Sequence, residues 1–257
     1  MDNRLVAFER LLNIMDELRE KCPWDKKQTF DSLRHLTIEE VYELADAIMQ
    51  KDLKAIEGEI GDVFMHMVFY SLLGREENAF DVSSVLNKVC DKLVERHPHI
   101  YGDETVQDEE DVKANWEKIK LKEGRSSVLE GVPAGLPALV KAQRIQEKVR
   151  GVGFDWELAA DVWNKVEEEI AELEVEVRNN TIHKEEEFGD LMFALVNYAR
   201  FIDVNPETAL EKANLKFKDR FQKMEVLIKE DGKVISEITL PQMDIYWDKV
   251  KSLNQPS

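Results

Sequence analysis

Carboxylates recur in pairs one helical turn apart: Glu40 with Glu43, Glu59 with Asp62, Glu169 with Glu172, and Glu187 with Asp190. On a helix, at about 100° per residue, each pair lies on the flank of an apolar stripe. The stripes are Val41, Leu44, Ala45 and Ile48; Ile60, Val63, Phe64 and Met67; Val166, Ile170, Leu173 and Val177; and Phe188, Leu191, Met192 and Leu195. Two such helices packed antiparallel through their stripes bring four carboxylates to the edge of the core. Four anions so placed repel one another and raise each other's pKa unless cations fill the gap. An all-oxygen donor set suits hard cations, Mg2+ or in its place Mn2+. Mg2+ keeps open positions for phosphate oxygens, so a phosphate compound is the natural partner of such a cluster.

A single Glu-x-x-Glu on an acidic chain is ordinary decoration of a solvated face. The same pair in matching register on two helices, and then again in a second pair of helices, is not. A di-iron carboxylate bundle would need Glu-x-x-His pairs. None of His35, His66, His97, His99 and His183 has a glutamate three residues before it.

Lys216 and Arg220 share one helical face, and Lys92 and Arg96 repeat the spacing. Phosphoryl transfer is driven by positioning and by cations that meet charge on non-bridging oxygens. Lysine supplies a point charge and arginine a fork for two oxygens. Trp116 and Trp247 each precede an acid and a lysine. Either ring can stack on a base, though a tryptophan more often plugs a core.

The elements that must hold these residues are helices. Apolar spacing of three and four dominates, and the 11 Gly and 7 Pro cluster rather than scatter. The carboxylate helices are expected over Ile38–Gln50 and Leu53–Leu73, then Ala160–Asn179 and Lys184–Ile202. Between the two sets lies GRSSVLEGVPAGLP, which reads as a linker over 124–137. It separates two copies of one module, residues 1–123 and 138–257. Glu-Glu-Val-Tyr-Glu at 39–43 answers Glu-Glu-Ile-Ala-Glu at 168–172, Trp24-Asp25 answers Phe154-Asp155, and Trp116 answers Trp247. The fold class is therefore all-α, a tandem duplication of a helical module with bundle-type cores.

Composition narrows the function. The 53 Asp+Glu against 35 Lys+Arg give a formal charge of −18, the wrong sign for coating nucleic acid. Two cysteines, Cys22 and Cys90, make neither a disulfide framework nor a zinc site and fit a reducing compartment. The N-terminal stretch MDNRLVAFERLL is too charged for a signal peptide. The strongest apolar run, Val63 to Leu73, contains His66 and is too short to span a bilayer. A soluble, cytoplasmic protein without nucleic-acid or membrane partners is expected.

The copies differ. Pro98 should end the first copy's cation helix just after Arg96, whereas the second runs on past Arg220. His66 sits beside the first carboxylate flank where the second copy has Ala194. Both differences favour 138–257 as the working copy and 1–123 as a structural one.

The repeated EExxE and ExxD motifs, with CPWD (22–25), ERHPH (95–99), LPAL (136–139) and VGFDW (152–156), resemble the two-domain MazG nucleoside triphosphate pyrophosphohydrolases from about Leu5 to Leu253. The resemblance implies an all-α homodimer with four-helix metal-binding cores. It implies Mg2+-dependent cleavage of ribo- and deoxyribonucleoside triphosphates, with broad specificity, to monophosphate and pyrophosphate. It also implies a catalytic C-terminal copy. By motif position Glu169, Glu172, Glu187 and Asp190 would hold metal, with Glu40, Glu43, Glu59 and Asp62 as the first copy's set. Lys216, Arg220 and Trp247 would contact substrate, with Lys165, Glu168 and Glu186 beside the nucleotide. The expected chemistry is hydrolysis by a metal-activated water, with Glu169 or Glu186 orienting or deprotonating it.

Two other functions share these features. One is a base-selective relative, of the dUTP or phosphoribosyl-ATP pyrophosphohydrolase type. The other is a non-catalytic helical dimer that binds nucleotide or protein, which should lack a carboxylate or the Lys216/Arg220 pair; the second copy lacks neither. Two helices per copy make half of a four-helix core, so the missing half comes from a second chain or from the other copy.

Overall fold

The computed structural model describes residues 2–103, 105–106, 112 and 127–253. Trp116 and the first linker residues, 124–126, lie outside them. The chain divides into two compact units, Met1–Gln107 and Asp108–Ser257. Every regular element among the described residues is helical, and none of these helices is long and apolar enough to cross a membrane.

The first unit contains α1 (Asn3–Lys21), α2 (Phe30–Gln50), α3 (Leu53–Glu76), α4 (Val82–Glu95) and the short α5 (Pro98–Tyr101). The α2 helix starts well before the expected Ile38. Thr29 and Ser32 form a reciprocal capping box there, which satisfies two backbone donors the helix start would leave bare. Asp52 caps α3 by accepting from the amides of Lys54 and Ala55. Between α2 and α3 the chain reverses at Lys51, which takes a left-handed φ of 57°. The α4 helix ends at Glu95, and Pro98 opens α5.

The second unit contains α6 (Ala138–Arg150), α7 (Ala159–Asn179), α8 (Lys184–Phe201), α9 (Pro206–Glu230) and α10 (Leu240–Leu253). The reversal between α7 and α8 again uses a left-handed residue, Asn180, with φ 49°. When Glu40–Glu43 is laid onto Glu169–Glu172, Lys51 falls on Asn180. The duplication thus extends to the turn that sets the register of each carboxylate hairpin. The described linker residues are tied to α6, where the buried Lys148 donates to the carbonyls of Val128 and Glu130 at 3.2 and 3.4 Å.

In the first unit Met15, Leu33, Val68, Phe69, Leu72 and Leu73 form the core between α1, α2 and α3. In the second, Val162 and Val166 of α7 and Ala194 and Val196 of α8 are buried, and Met224, Ile228, Tyr246 and Val250 join α9 to α10. The apolar stripes beside the carboxylates behave differently from expectation. Val41, Ile48, Ile60, Phe64 and Met67 are exposed, as are Ile170, Val177, Phe188 and Leu195. Each hairpin packs inward on a neighbouring face, and most of each stripe stays exposed.

Candidate metal centre

The α7–α8 hairpin brings Glu169, Glu187 and Asp190 together, with carboxylate oxygens all within 4.8 Å of one another. Glu169 is buried, Glu187 half-buried and Asp190 exposed. The α2–α3 hairpin does the same for Glu40, Glu43 and Glu59. The fourth member of each expected set stands outside its tight group but within electrical reach. Burial, then the charges of Glu172, Asp190, Glu169 and Glu186, push Glu187 above the ordinary carboxylate range. Burial, then Asp62, Glu43, Glu59 and Glu39, do the same to Glu40. Anions held close enough to resist ionisation, offering only oxygen donors, are what a hard divalent cation fits.

Lys165 lies one turn before Glu169 on α7. Its ammonium is 2.7 Å from both Glu168 and Glu169. Its hydrogen bonds to those two acids hold its pKa far above the ordinary lysine value. It is therefore a permanent positive charge at the rim of an anionic cluster. Glu186 is exposed and faces His183, Nδ1 to carboxylate 3.3 Å.

Lys216 and Arg220 lie on α9. Among the described residues no hydrogen bond or ion pair joins either to the carboxylates. Arg220 has its Nε buried with no partner. Trp247 on α10 packs into the Phe221–Met243 cluster, with its ring 5.2 Å from that of Phe217. His66, expected beside the first carboxylate flank, is buried instead. Its Nδ1 lies 2.7 Å from Thr37 Oγ1, which in turn is 2.7 Å from Tyr70 Oη.

Sequence reasoning missed a cavity of about 300 Å3 that opens between α6, α7 and α8. Its wall is mostly apolar, with Ile145, Val149, Val162 and Phe193, and Lys165, Glu169 and Asp190 line it too. Gln146 and Asn197 also line it, 4% and 6% exposed. The signal was present in the repeat. Laying Glu59–Asp62 onto Glu187–Asp190 places Phe69 on Asn197, Leu72 on Arg200 and His66 on Ala194. Phe69, Leu72 and His66 are all buried in the first unit, so the second copy has lost filling where the first keeps it.

Residues 28–101 match the family model described as the MazG nucleotide pyrophosphohydrolase domain. Over 251 residues the chain is 44% identical to the Thermotoga maritima nucleoside triphosphate pyrophosphohydrolase/pyrophosphatase MazG, covering 96% of each chain. It is 41% identical over 254 residues to the Escherichia coli nucleoside triphosphate pyrophosphohydrolase, covering 95% of this chain and 97% of that one. A crystal structure of a mazG-related protein from Thermotoga maritima overlaps 44% of this chain and 98% of its own, at 30% identity and a TM-score of 0.40.

Proposed function

The chain belongs to the MazG family of nucleotide pyrophosphohydrolases, and from that premise we propose that it hydrolyses nucleoside triphosphates, broadly among ribo- and deoxyribonucleotides, to monophosphate and pyrophosphate in its second unit. The convergence of Glu169, Glu187 and Asp190 carries the reading.

Glu169, Glu172, Glu187 and Asp190 would hold Mg2+, or Mn2+ in its place. Bound there, the ion neutralises phosphate charge and acidifies water. The protein's own groups do the rest. Lys165, 2.7 Å from Glu169, holds that carboxylate in place and offers a positive charge to the incoming phosphates. Glu168 and Glu186 stand beside the same cluster and limit where a triphosphate chain can lie. Arg220, with a buried Nε that lacks a partner, is suited to gripping phosphate oxygens together with Lys216. Trp247, packed against Phe217, would contact the nucleotide. Glu169 or Glu186 orients or deprotonates the attacking water.

The first unit, on this reading, supports structure. Its His66, Phe69 and Leu72 are buried within the first unit, at the repeat positions of Ala194, Asn197 and Arg200, which line the open cavity of the second. A second copy of the chain would cover the exposed stripes and complete four-helix cores, making the enzyme a homodimer.

The test compares wild type, Glu169→Gln and Glu40→Gln with each common nucleoside triphosphate and Mg2+, identifying the products. Monophosphate and pyrophosphate should form, and chelator should stop them. Loss of one ligand removes several kcal/mol of charge stabilisation, so Glu169→Gln should slow hydrolysis by roughly 100-fold or more. Glu40→Gln should remain near wild type. Equal losses in the two variants would overturn the assignment of the working copy, and a wild type inert towards every nucleotide would overturn the activity.

A further inference from the structure

Trp247 is half-buried, and its place depends on how α10 lies on α9. The α10 helix is the last regular element among the described residues, and it packs chiefly on α9. Tyr246 and Val250 of α10 are buried in one cluster with Met224 and Ile228 of α9. Apolar burial has no direction. It holds α10 down but fixes its rotation less sharply than a hydrogen bond would.

One group in this contact is directional. Tyr246 is 4% exposed, yet its hydroxyl is engaged twice. It donates to Asp231 Oδ2 at 2.7 Å and accepts from Lys233 Nζ at 3.0 Å. Asp231 and Lys233 flank Gly232 in the turn that ends α9. Gly232 takes a left-handed φ of 70°. The amides of Gly232 and Lys233 donate back to the carbonyls of Lys229 and Ile228 at 3.0 and 3.1 Å, so the anchor is fastened to the end of α9 itself. Lys233 and Lys249 also hold their ammonium groups 5.3 and 5.1 Å from the centre of the Tyr246 ring, within cation–π range.

Successive residues on a helix lie about 100° apart. Pinning Tyr246 at the tip of its side chain therefore sets where its neighbour Trp247 points. The Trp247 ring meets that of Phe217 at 5.2 Å. Phe217 follows Lys216 and lies one turn before Arg220 on α9, so the indole is presented on the helix that carries both cations. The sequence of the other copy differs at this point. Asn115-Trp116-Glu117-Lys118 answers Tyr246-Trp247-Asp248-Lys249. The copy read as structural keeps the tryptophan and lacks the phenol.

We propose that Tyr246 is a positioning residue for the nucleotide site: its hydroxyl, held between Asp231 and Lys233, fixes the rotation of α10 and so aims Trp247 at the bound nucleotide. The proposal rests on the pyrophosphohydrolase reading, in which Trp247 contacts the nucleotide. The carboxylates stand on α7 and α8, so the anchor governs substrate affinity more than the chemical step.

The full-length protein with Mg2+ is titrated by calorimetry with the α,β-methylene analogue of ATP, which cannot be cleaved at that bond. Tyr246→Phe removes the hydroxyl and keeps the ring. The double variant Asp231→Ala with Lys233→Met removes both partners from exposed positions, and serves where Tyr246→Phe does not fold. Each is made in wild type and in Trp247→Ala, and circular dichroism melts identify the variants that fold.

In the wild-type background both anchor variants should weaken analogue binding by about three- to tenfold, as for the loss of one hydrogen-bonded group. Trp247→Ala alone should weaken it by about fivefold or more. In the Trp247→Ala background the anchor variants should add almost nothing, because the route from anchor to nucleotide is gone. A residue that only stabilised the fold would weaken binding by the same factor in both backgrounds. In turnover, KM for nucleoside triphosphates should rise more than kcat falls. Equal losses in the two backgrounds, binding indifferent to the anchor variants, Trp247→Ala without effect, or a wild type that does not take up the analogue would each overturn the positioning role, while hydrolysis by wild type would still stand. Losses coupled through Trp247 in a wild type that binds the analogue but hydrolyses nothing would keep the role and discard the hydrolase reading.

Discussion

At the scale of single residues, the second carboxylate group is balanced against itself. Glu187 sits above the ordinary carboxylate range because burial and four neighbouring acids oppose its charge. A raised folded-state pKa means that the folded state binds the proton more tightly than the unfolded chain, so this contribution weakens stability as the pH rises through the folded value. Glu187→Gln removes that repulsion. In the absence of divalent cation the variant should melt at a higher temperature than wild type at neutral pH. Mg2+ should raise the melting temperature of wild type and leave the variant nearly unmoved. These acids were legible in the sequence because a helix converts a spacing of three directly into a shared face. Gln146 and Asn197 were not, since a neutral amide at a core-facing position carries no charge or periodicity to mark it. Only the loss of bulk relative to Phe69 and His66 in the first copy pointed to them.

At the scale of elements, the helices were legible and their inward faces were not. The starts of α3 and α9 follow from the chain's own punctuation, Asp52 before Leu53 and Asn205-Pro206 before Glu207. Which face of a hairpin points inward depends on a third helix, and α1 and α6 decide it from far away in sequence. The partner of α9 is α10, joined by Met224, Ile228, Tyr246 and Val250. Ile228 is almost wholly enclosed, and Ile228→Ala should cost about 2–5 kcal/mol in denaturant unfolding of the second unit. In the first unit the α2–α3 pair is pinned by His66 bonded to Thr37. Burial holds this imidazole below its ordinary value, against a smaller opposing pull from Asp62. The unfolded ring takes its proton near pH ~6.5, the folded ring only at lower pH. In that window the unfolded chain binds more protons, so the first unit should lose stability as the pH falls below about 6.5. Comparing urea midpoints at pH 7 and about 5.5, wild type should lose more than His66→Gln.

At the scale of the whole molecule, the exposed Phe64, Met67, Phe188 and Leu195 lie beside charged clusters that a lone chain leaves open. Phe64→Glu should shift the solution mass, measured by light scattering, from dimer towards monomer; wild type running as a monomer would sink the dimer. The duplicated architecture was readable from motif order, because two copies of one module repeat their spacings whatever their contacts. How the residues just before α6 attach to the second unit was not readable, because that depends on a lysine burying its charge. Lys148 is 2% exposed and donates to the carbonyls of Val128 and Glu130. A fragment beginning at 138, the first residue after the linker motif, would strip those carbonyls from an enclosed ammonium. A fragment beginning at 127 keeps them. The longer piece should therefore melt higher in thermal scans, and the eleven residues before α6 serve as the N-terminal clasp of the second unit rather than as a tether.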